Sequence, residues 1–346
     1  MKRLISLILA TVMVLCVFAS CGTGASTDTS SVQSEVQSKE PAKKADVKLA
    51  TLMGPTGMGM AYLLDDAKNG KALNNYEYEV YSGPEEVTTK LVSGQVDIAA
   101  LPTNAAATLY NKSNGKIKLV ALNTLGVLYL VTKGDSIKEV ADLKGKTIYV
   151  SGQGATPEYA LTYVLNENGL EVGKDVKLDF TYANHDDLVA FAASGKADVV
   201  LLPEPKVTAL LTKNTELKVA FDLNDLWADA VKDTDNKDSI IAMGCVAVNT
   251  AFAEANPDAV ANFLKEYKAS VDKVNEDNAA AAEVIAGAGI VPVAPVALKA
   301  LPRCNIVCIT GDEMKAKIND FYNVLYTANP DSVGGKLPDD NFYYIG

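Results

Sequence analysis

One pattern is written twice in this chain. Leu91-Val92-Ser93-Gly94-Gln95-Val96-Asp97-Ile98-Ala99-Ala100-Leu101-Pro102 returns as Ala192-Ala193-Ser194-Gly195-Lys196-Ala197-Asp198-Val199-Val200-Leu201-Leu202-Pro203. Each copy reads as an amphipathic helix closed by Gly94 or Gly195, then a buried strand, then Pro102 or Pro203 opening the next helix. The punctuation ahead also matches: Gly54-Pro55-Thr56-Gly57-Met58-Gly59 and Gly152-Gln153-Gly154-Ala155-Thr156-Pro157 each follow an apolar strand and precede a helix. Glycines there let backbone N–H groups at the helix start point outward, which makes a polar binding surface without charged side chains. The duplication constrains the chain to two similar halves with opposable binding edges.

The pattern predicts strands over 47–53, 76–81, 96–101 and 117–123, with helices over 58–68, 84–93 and 103–111. The second half repeats the order, with strands over 147–150, 176–182, 197–202 and 217–221 and helices over 157–166, 186–193 and 204–213. Such alternation predicts an α/β fold with mainly parallel sheets. The extended stretches from Leu125 to Thr132 and from Ile240 to Val248 read as two crossings between the halves, hence a hinge able to close on a solute. The last hundred residues read as mostly helical. Val260, Phe263, Leu264, Tyr267, Val271 and Val274 form an apolar stripe behind Asn256 and Pro257, and Pro338 to Tyr344 reads as a docked tail. The expected domains are 47–125 with 244–346, and 126–243.

Ahead of this body, Lys2 and Arg3 precede an apolar run too short to span a membrane, which reads as an export signal over 1–20. Residues 21–46 are almost free of apolar side chains and cannot offset their own ordering entropy, so a flexible tether is expected. The formal charge is −11, and −13 once Lys2 and Arg3 leave with the signal, which argues against nucleic acid as a partner. Cys245, Cys304 and Cys308 follow no disulfide-framework spacing and read as core residues; a Cys304–Cys308 bridge would require the backbone to bend.

Val17-Phe18-Ala19-Ser20-Cys21 resembles the lipobox of bacterial lipoproteins, with Phe18 where that family usually has Leu. With the tether, the crossings, Asp142-Leu143-Lys144-Gly145-Lys146 and the doubled Ser-Gly-x-x-Asp motif, essentially the whole chain resembles the solute-binding lipoproteins of bacterial ABC importers. It looks most like the branch of nitrate, sulfonate, taurine and thiamine-pyrimidine binders, whose fold is the type II periplasmic binding protein: two doubly wound lobes joined by a two-crossing hinge. The resemblance implies acylation of Cys21, anchorage outside the cytoplasm, delivery of a small solute to a permease and ATPase complex, and no cofactor. It places the solute between the lobes, touched by Thr56, Gly57 and Met58, by Thr103 and Asn104, by Asn123 and Thr124 at the first crossing, by Gln153, Ala155 and Thr156, and by Glu204. Thr103 and Asn104 read equally as helix caps, and Gly57 and Gly154 as chain turns.

No catalytic or metal-binding signature stands out: His-Glu-x-x-His, nucleophile elbow, Walker loop and Cys-x-x-Cys are all missing. His185, the single histidine, reads as a surface or capping residue. Arg303, the one arginine beyond the signal, is expected far from the predicted cleft loops. No arginine clamp on an anion is therefore expected. Glu204 at a cleft-facing helix start would repel an anion. The expected solute is small and neutral or amine-bearing, with a pyrimidine as the example, and Met58, Met60 or Tyr62 pack on its apolar face or belong to the core. Two other classes remain open: an enzyme on the same fold, of the thiamine-pyrimidine or menaquinone synthesis kind, and a receptor for a membrane sensor.

Overall fold

The computed structural model describes residues 44–237 and 239–345. The expected signal, Cys21 and all but the end of the expected tether lie outside the described residues. Eleven strands follow as β1 (Asp46–Leu52), β2 (Asn75–Tyr81), β3 (Ile98–Pro102), β4 (Ile117–Leu125), β5 (Leu128–Lys133), β6 (Thr147–Val150), β7 (Lys177–Asp179), β8 (Val199–Pro203), β9 (Leu217–Asp222), β10 (Ala242–Asn249) and β11 (Ile306–Ile309). Helices α1 (Pro55–Met58), α2 (Ala61–Lys68), α3 (Pro84–Ser93) and α4 (Thr103–Ser113) connect the first strands. In the second half lie α5 (Thr156–Glu167), α6 (His185–Ala193), α7 (Lys206–Lys213) and α8 (Leu223–Val231). The C-terminal region adds α9 (Thr250–Ala255), α10 (Pro257–Glu276), α11 (Asn278–Gly287), α12 (Ala294–Ala300) and α13 (Gly311–Ala328). Among the described residues no helix is long and apolar enough to cross a membrane.

The internal repeat is visible in the sheet orders. One sheet runs β11-β4-β10-β3-β1-β2 and the other β7-β6-β8-β5-β9. In each half the second strand lies outside the first, the third follows, and a crossing strand separates third from fourth. These crossing strands correct the expectation of mainly parallel sheets. β10 pairs antiparallel with both β3 and β4, β5 pairs antiparallel with β8 and β9, and β11 pairs antiparallel with β4. Only β1 with β2 and β3, and β6 with β7 and β8, are parallel. A chain entering a half from its neighbour arrives at the edge where that half's strands end, and so runs against them.

Local signals place most elements. Gly94 closes α3 with φ 73°, the left-handed conformation that L side chains resist. Asn184, Asp222, Asn249 and Asp277 cap α6, α8, α9 and α11 by accepting backbone N–H groups. The stripe on α10 is buried as its spacing predicts, apart from the half-exposed Leu264. The C-terminal segment docks through Phe342 on Tyr110 and through Tyr344 N–H to Leu119 O at 2.9 Å. One apolar cluster joins Leu101 and Leu122 of the first half to Val150, Leu161, Leu201 and Trp227 of the second through Phe321 and Leu325 of α13. Cys245, Cys304 and Cys308 are free thiols.

Candidate functional site

The ends of β1, β3, β6 and β8 and the crossing strands define the region where the halves meet. After β1 the chain turns at Gly54, φ 87°, into the single turn of α1. A Cβ on Gly57 would stand 2.0 Å from Leu52 O, and one on Gly59 would stand 2.7 Å from the Tyr267 hydroxyl. Glycine is thus needed at both positions for α1 to seat on its strand and on α10. The expected single helix over 58–68 is consequently broken at Gly59 and Met60.

Asn123 on β4 donates from Nδ2 to Thr56 O at 3.0 Å and to Cys245 O at 3.1 Å. A Cβ on Gly244 would lie 2.3 Å from Asn123 Oδ1, 3.0 Å from Thr56 Oγ1 and 3.2 Å from Thr124 Cβ. Thr56, Asn123 and Thr124 therefore converge over a bare glycine of β10. Thr124 Oγ1, Thr51 Oγ1 and, from the other half, Thr156 Oγ1 are buried without a hydrogen-bond partner among the described residues, while the Asn123 amide also meets the Tyr267 hydroxyl. Buried polar atoms ordinarily find partners; others without one lie away from these elements, at Asn111, Thr132, Trp227 and Ser239.

The other expected contacts divide. Met58 is fully buried in the core beside Met60, which corrects its assignment as an apolar face for solute. The Lys273 ammonium sits over the Tyr62 ring. Thr103 is fully buried, donates to Ala242 O at 2.5 Å, and its own carbonyl accepts from the Tyr322 hydroxyl at 2.8 Å. It ties β10 and α13 to the start of α4. Asn104 is half-buried and shares a groove of about 420 Å³ with Pro84, Thr108, Gly154, Tyr159 and Ser332, so the structure brings Asn104 and the second glycine loop together across the halves. Gln153 is exposed and Ala155 half-exposed. Gly154 N–H donates to Glu158 Oε2 at 2.6 Å. The acid in the first turn of α5 fills its own helix terminus.

Glu204 requires the largest correction. The chain continues through a cis Glu204–Pro205 bond, and α7 starts only at Lys206. The carboxylate is fully buried and meets Arg303, whose Nε and Nη2 both lie 2.5 Å from Oε1. Thr208 N–H donates to Oε2 at 3.1 Å, and Arg303 Nη2 donates to Thr208 Oγ1 at 3.0 Å. Arg303, remote in sequence, is held here by the turn after α12, and its carbonyl accepts from the Tyr129 hydroxyl at 3.0 Å. The pair bridges the halves, and Glu204 presents no free charge that would repel an anion.

Sequence reasoning also missed the Ser151–His185 pair, with Oγ 2.5 Å from Nδ1 at the ends of β6 and the start of α6. Burial and the Lys206 ammonium push the His185 pKa below its ordinary value, against the opposing charge of Asp186. Thr51 had a legible signal, a hydroxyl inside the apolar strand Leu49-Ala50-Thr51-Leu52. So had Arg303, the sole arginine besides Arg3, although nothing local names its partner.

Two α/β sheets that exchange a crossing strand, with polar loops facing across the seam, define a two-lobed solute-binding fold. The chain belongs to the ABC transporter, phosphonate, periplasmic substrate-binding protein family, whose model matches residues 74–297. It is similar to an ABC transporter structure from Parabacteroides distasonis, at 28% identity over 87% of this chain and 99% of that one, with a TM-score of 0.72. The periplasmic aliphatic sulphonate binding protein SsuA of Escherichia coli aligns at 15% identity over 86% and 93%, TM-score 0.66. The alkanesulfonate-binding SsuA of Xanthomonas axonopodis pv. citri, bound to MOPS, aligns at 15% over 86% and 96%, TM-score 0.60. These two share the periplasmic binding protein fold. A comparison with curated proteins returned no match. The chain is thus a periplasmic substrate-binding component of an ABC transporter.

Proposed function

We propose that this protein is a lipoprotein receptor that captures a small organic solute, neutral or amine-bearing, between its two lobes and hands it to the membrane permease of its importer. The observation that carries the reading is that the strand-end loops of the two halves meet across one groove of about 420 Å³, with the uncharged side chains of Asn104 and Thr108 on one side and Gly154 and Tyr159 on the other. Glu204 no longer supports the solute's polarity, since Arg303 matches its charge. The support now comes from these uncharged side chains and from the α5 terminus, already occupied by Glu158. Of the binding residues proposed from the sequence, this reading keeps Thr56, Asn104, Asn123, Thr124, Gln153, Ala155 and Thr156. The reading includes no catalytic step.

Lipid on Cys21 would hold the body at the outer face of the membrane, and the polar stretch after it would give reach. Cys21→Ser is expected to release the protein from membranes into the soluble fraction. Mass spectrometry of protein purified without unfolding tests the capture itself: a single retained small molecule, raising the melting temperature when added back, is expected. Turnover of that molecule, abolished by His185→Ala, would overturn the reading in favour of an enzyme.

A further inference from the structure

We propose that the groove between α4 and Tyr159 receives the body of the solute, and that the solute is an amine on an apolar frame and not a compact oxyanion; this rests on the solute-capture reading and specifies its class. The groove holds about 420 Å³, a size at which small-molecule sites are mostly apolar with a few polar groups that fix orientation. Its lining follows α4 from Asn104 to Lys112, about 12 Å at the rise of an α-helix. That length suits two fused rings or an alkyl chain and exceeds what a sulfonate or phosphonate group would occupy.

Pro84 in the first turn of α3, Ala105 and Leu109 one turn apart on α4, and Tyr159 of α5 give the groove apolar walls from both halves. Leu109 and Pro84 are half-buried and still offer surface to a ligand. The Tyr159 ring is held in place, because its hydroxyl accepts from Asn329 Nδ2 at 3.0 Å. Glu85 and Asp331 add two carboxylates to the lining against the single ammonium of Lys112, a net charge of −1. All three are exposed, so they act on the end of a solute that reaches the rim.

The donors that would suit an oxyanion are committed elsewhere. Arg303 is paired with Glu204, and Gly154 N–H with Glu158. A sulfonate or phosphonate would enter an apolar trough of its own charge sign, whereas an ammonium gains from Glu85 or Asp331 and leaves its frame against Leu109 and Tyr159.

The first arm of the test uses the full chain, stripped of solute by unfolding and refolding, and the neutral fluorescent probe N-phenyl-1-naphthylamine. Its emission is expected to rise with one site per chain, and Ala105→Trp, which fills the groove, is expected to abolish the rise while the variant still melts cooperatively. Thr88→Trp, from the α3 side of the same lining, serves if Ala105→Trp does not fold. No rise in the wild-type chain, or a rise that survives filling the groove, would overturn the assignment of the apolar body.

The second arm is displacement of that probe by a matched pair. 1-Naphthylmethylamine is expected to displace it at about tenfold lower concentration than 1-naphthalenesulfonate, and Glu85→Gln with Asp331→Asn is expected to bring the two together. Equal displacement by the wild-type chain, or preference for the sulfonate, would overturn the amine class. Neither result touches the capture reading, which is decided by whether a small molecule stays bound through native purification. A retained oxyanion would keep that reading and overturn this proposal.

Discussion

Arg303 and Glu204 form a buried charge pair whose members are ninety-nine positions apart in the chain, and the pair is asymmetric: the carboxylate is wholly enclosed while the guanidinium side chain is about a third exposed. Removing the cation strands a buried anion, whereas removing both charges does not. Arg303→Met is accordingly expected to cost about 3 kcal/mol in urea unfolding, and Glu204→Gln with Arg303→Met markedly less, so that the double-mutant cycle is strongly non-additive. Additive losses would mean that the two charges are screened from each other. His185 gives a second prediction. Its pKa is lowered by burial and by Lys206, so the unfolded chain binds its proton more readily than the folded one. Stability should therefore be full above the unfolded value of 6.5 and decline as pH falls below it. Urea midpoints measured from pH 8 down to pH 5.5 should show this decline, and His185→Gln should flatten it.

The strand ends depend on where backbone is allowed to approach backbone. Gly57 is the sharpest case, because a Cβ would stand 2.0 Å from a strand carbonyl that cannot rotate away. Gly57→Ala is expected to destabilise by about 2 kcal/mol through displacement of α1, while Ala155→Gly, at the neighbouring position of the other loop, should change little. Equal small effects would show that the turn of α1 is not seated on β1. Elements of this kind were largely legible in sequence, because their causes are local: α3 from Pro84 to Ser93 and β6 from Thr147 to Val150 end where the pattern places their ends. α8 escaped notice although Asp222, Leu223, Trp227 and Val231 carry its cap and its apolar face. The antiparallel insertion of β5 and β10 was not legible, since strand direction is decided by partners far away in the chain. The same reason hid Arg303. A lone arginine announces that it matters, but its partner is chosen by the fold of α12 against α7. Within the site, Asn123 and Thr124 could be named from the crossing, whereas the bonds of the Asn123 amide to Thr56 O and Cys245 O are visible only in the fold.

Taken as one object, the molecule is held by more than its crossings. The Arg303–Glu204 pair fastens one flank, Asn329 Nδ2 bonds the Tyr159 hydroxyl at 3.0 Å on another, and the apolar cluster runs through both halves between them. Trp227 of α8, the only tryptophan in the chain, lies in that seam with its ring centre 4.9 Å from Tyr163 and 5.6 Å from Phe321 of α13. A hinge at Gly126 and Val127 must work against these contacts, so closure energy comes from what the solute adds and not from two lobes swinging freely. Because the seam is buried apolar surface, the halves should also unfold together. Urea transitions followed by Trp227 fluorescence, which reports the second half and the seam, and by far-UV circular dichroism, which reports all helices and strands, are expected to coincide in the wild-type chain. Phe321→Ala deletes the α13 ring from the seam and is expected to lower stability by about 3–4 kcal/mol. If the seam couples the halves, that variant should also separate the two transitions, with fluorescence changing at lower urea. A wild-type chain whose two probes already disagree, or a Phe321→Ala variant whose probes still coincide at a lower midpoint, would show that cooperativity resides in the crossing strands β5 and β10 and not in the aromatic seam.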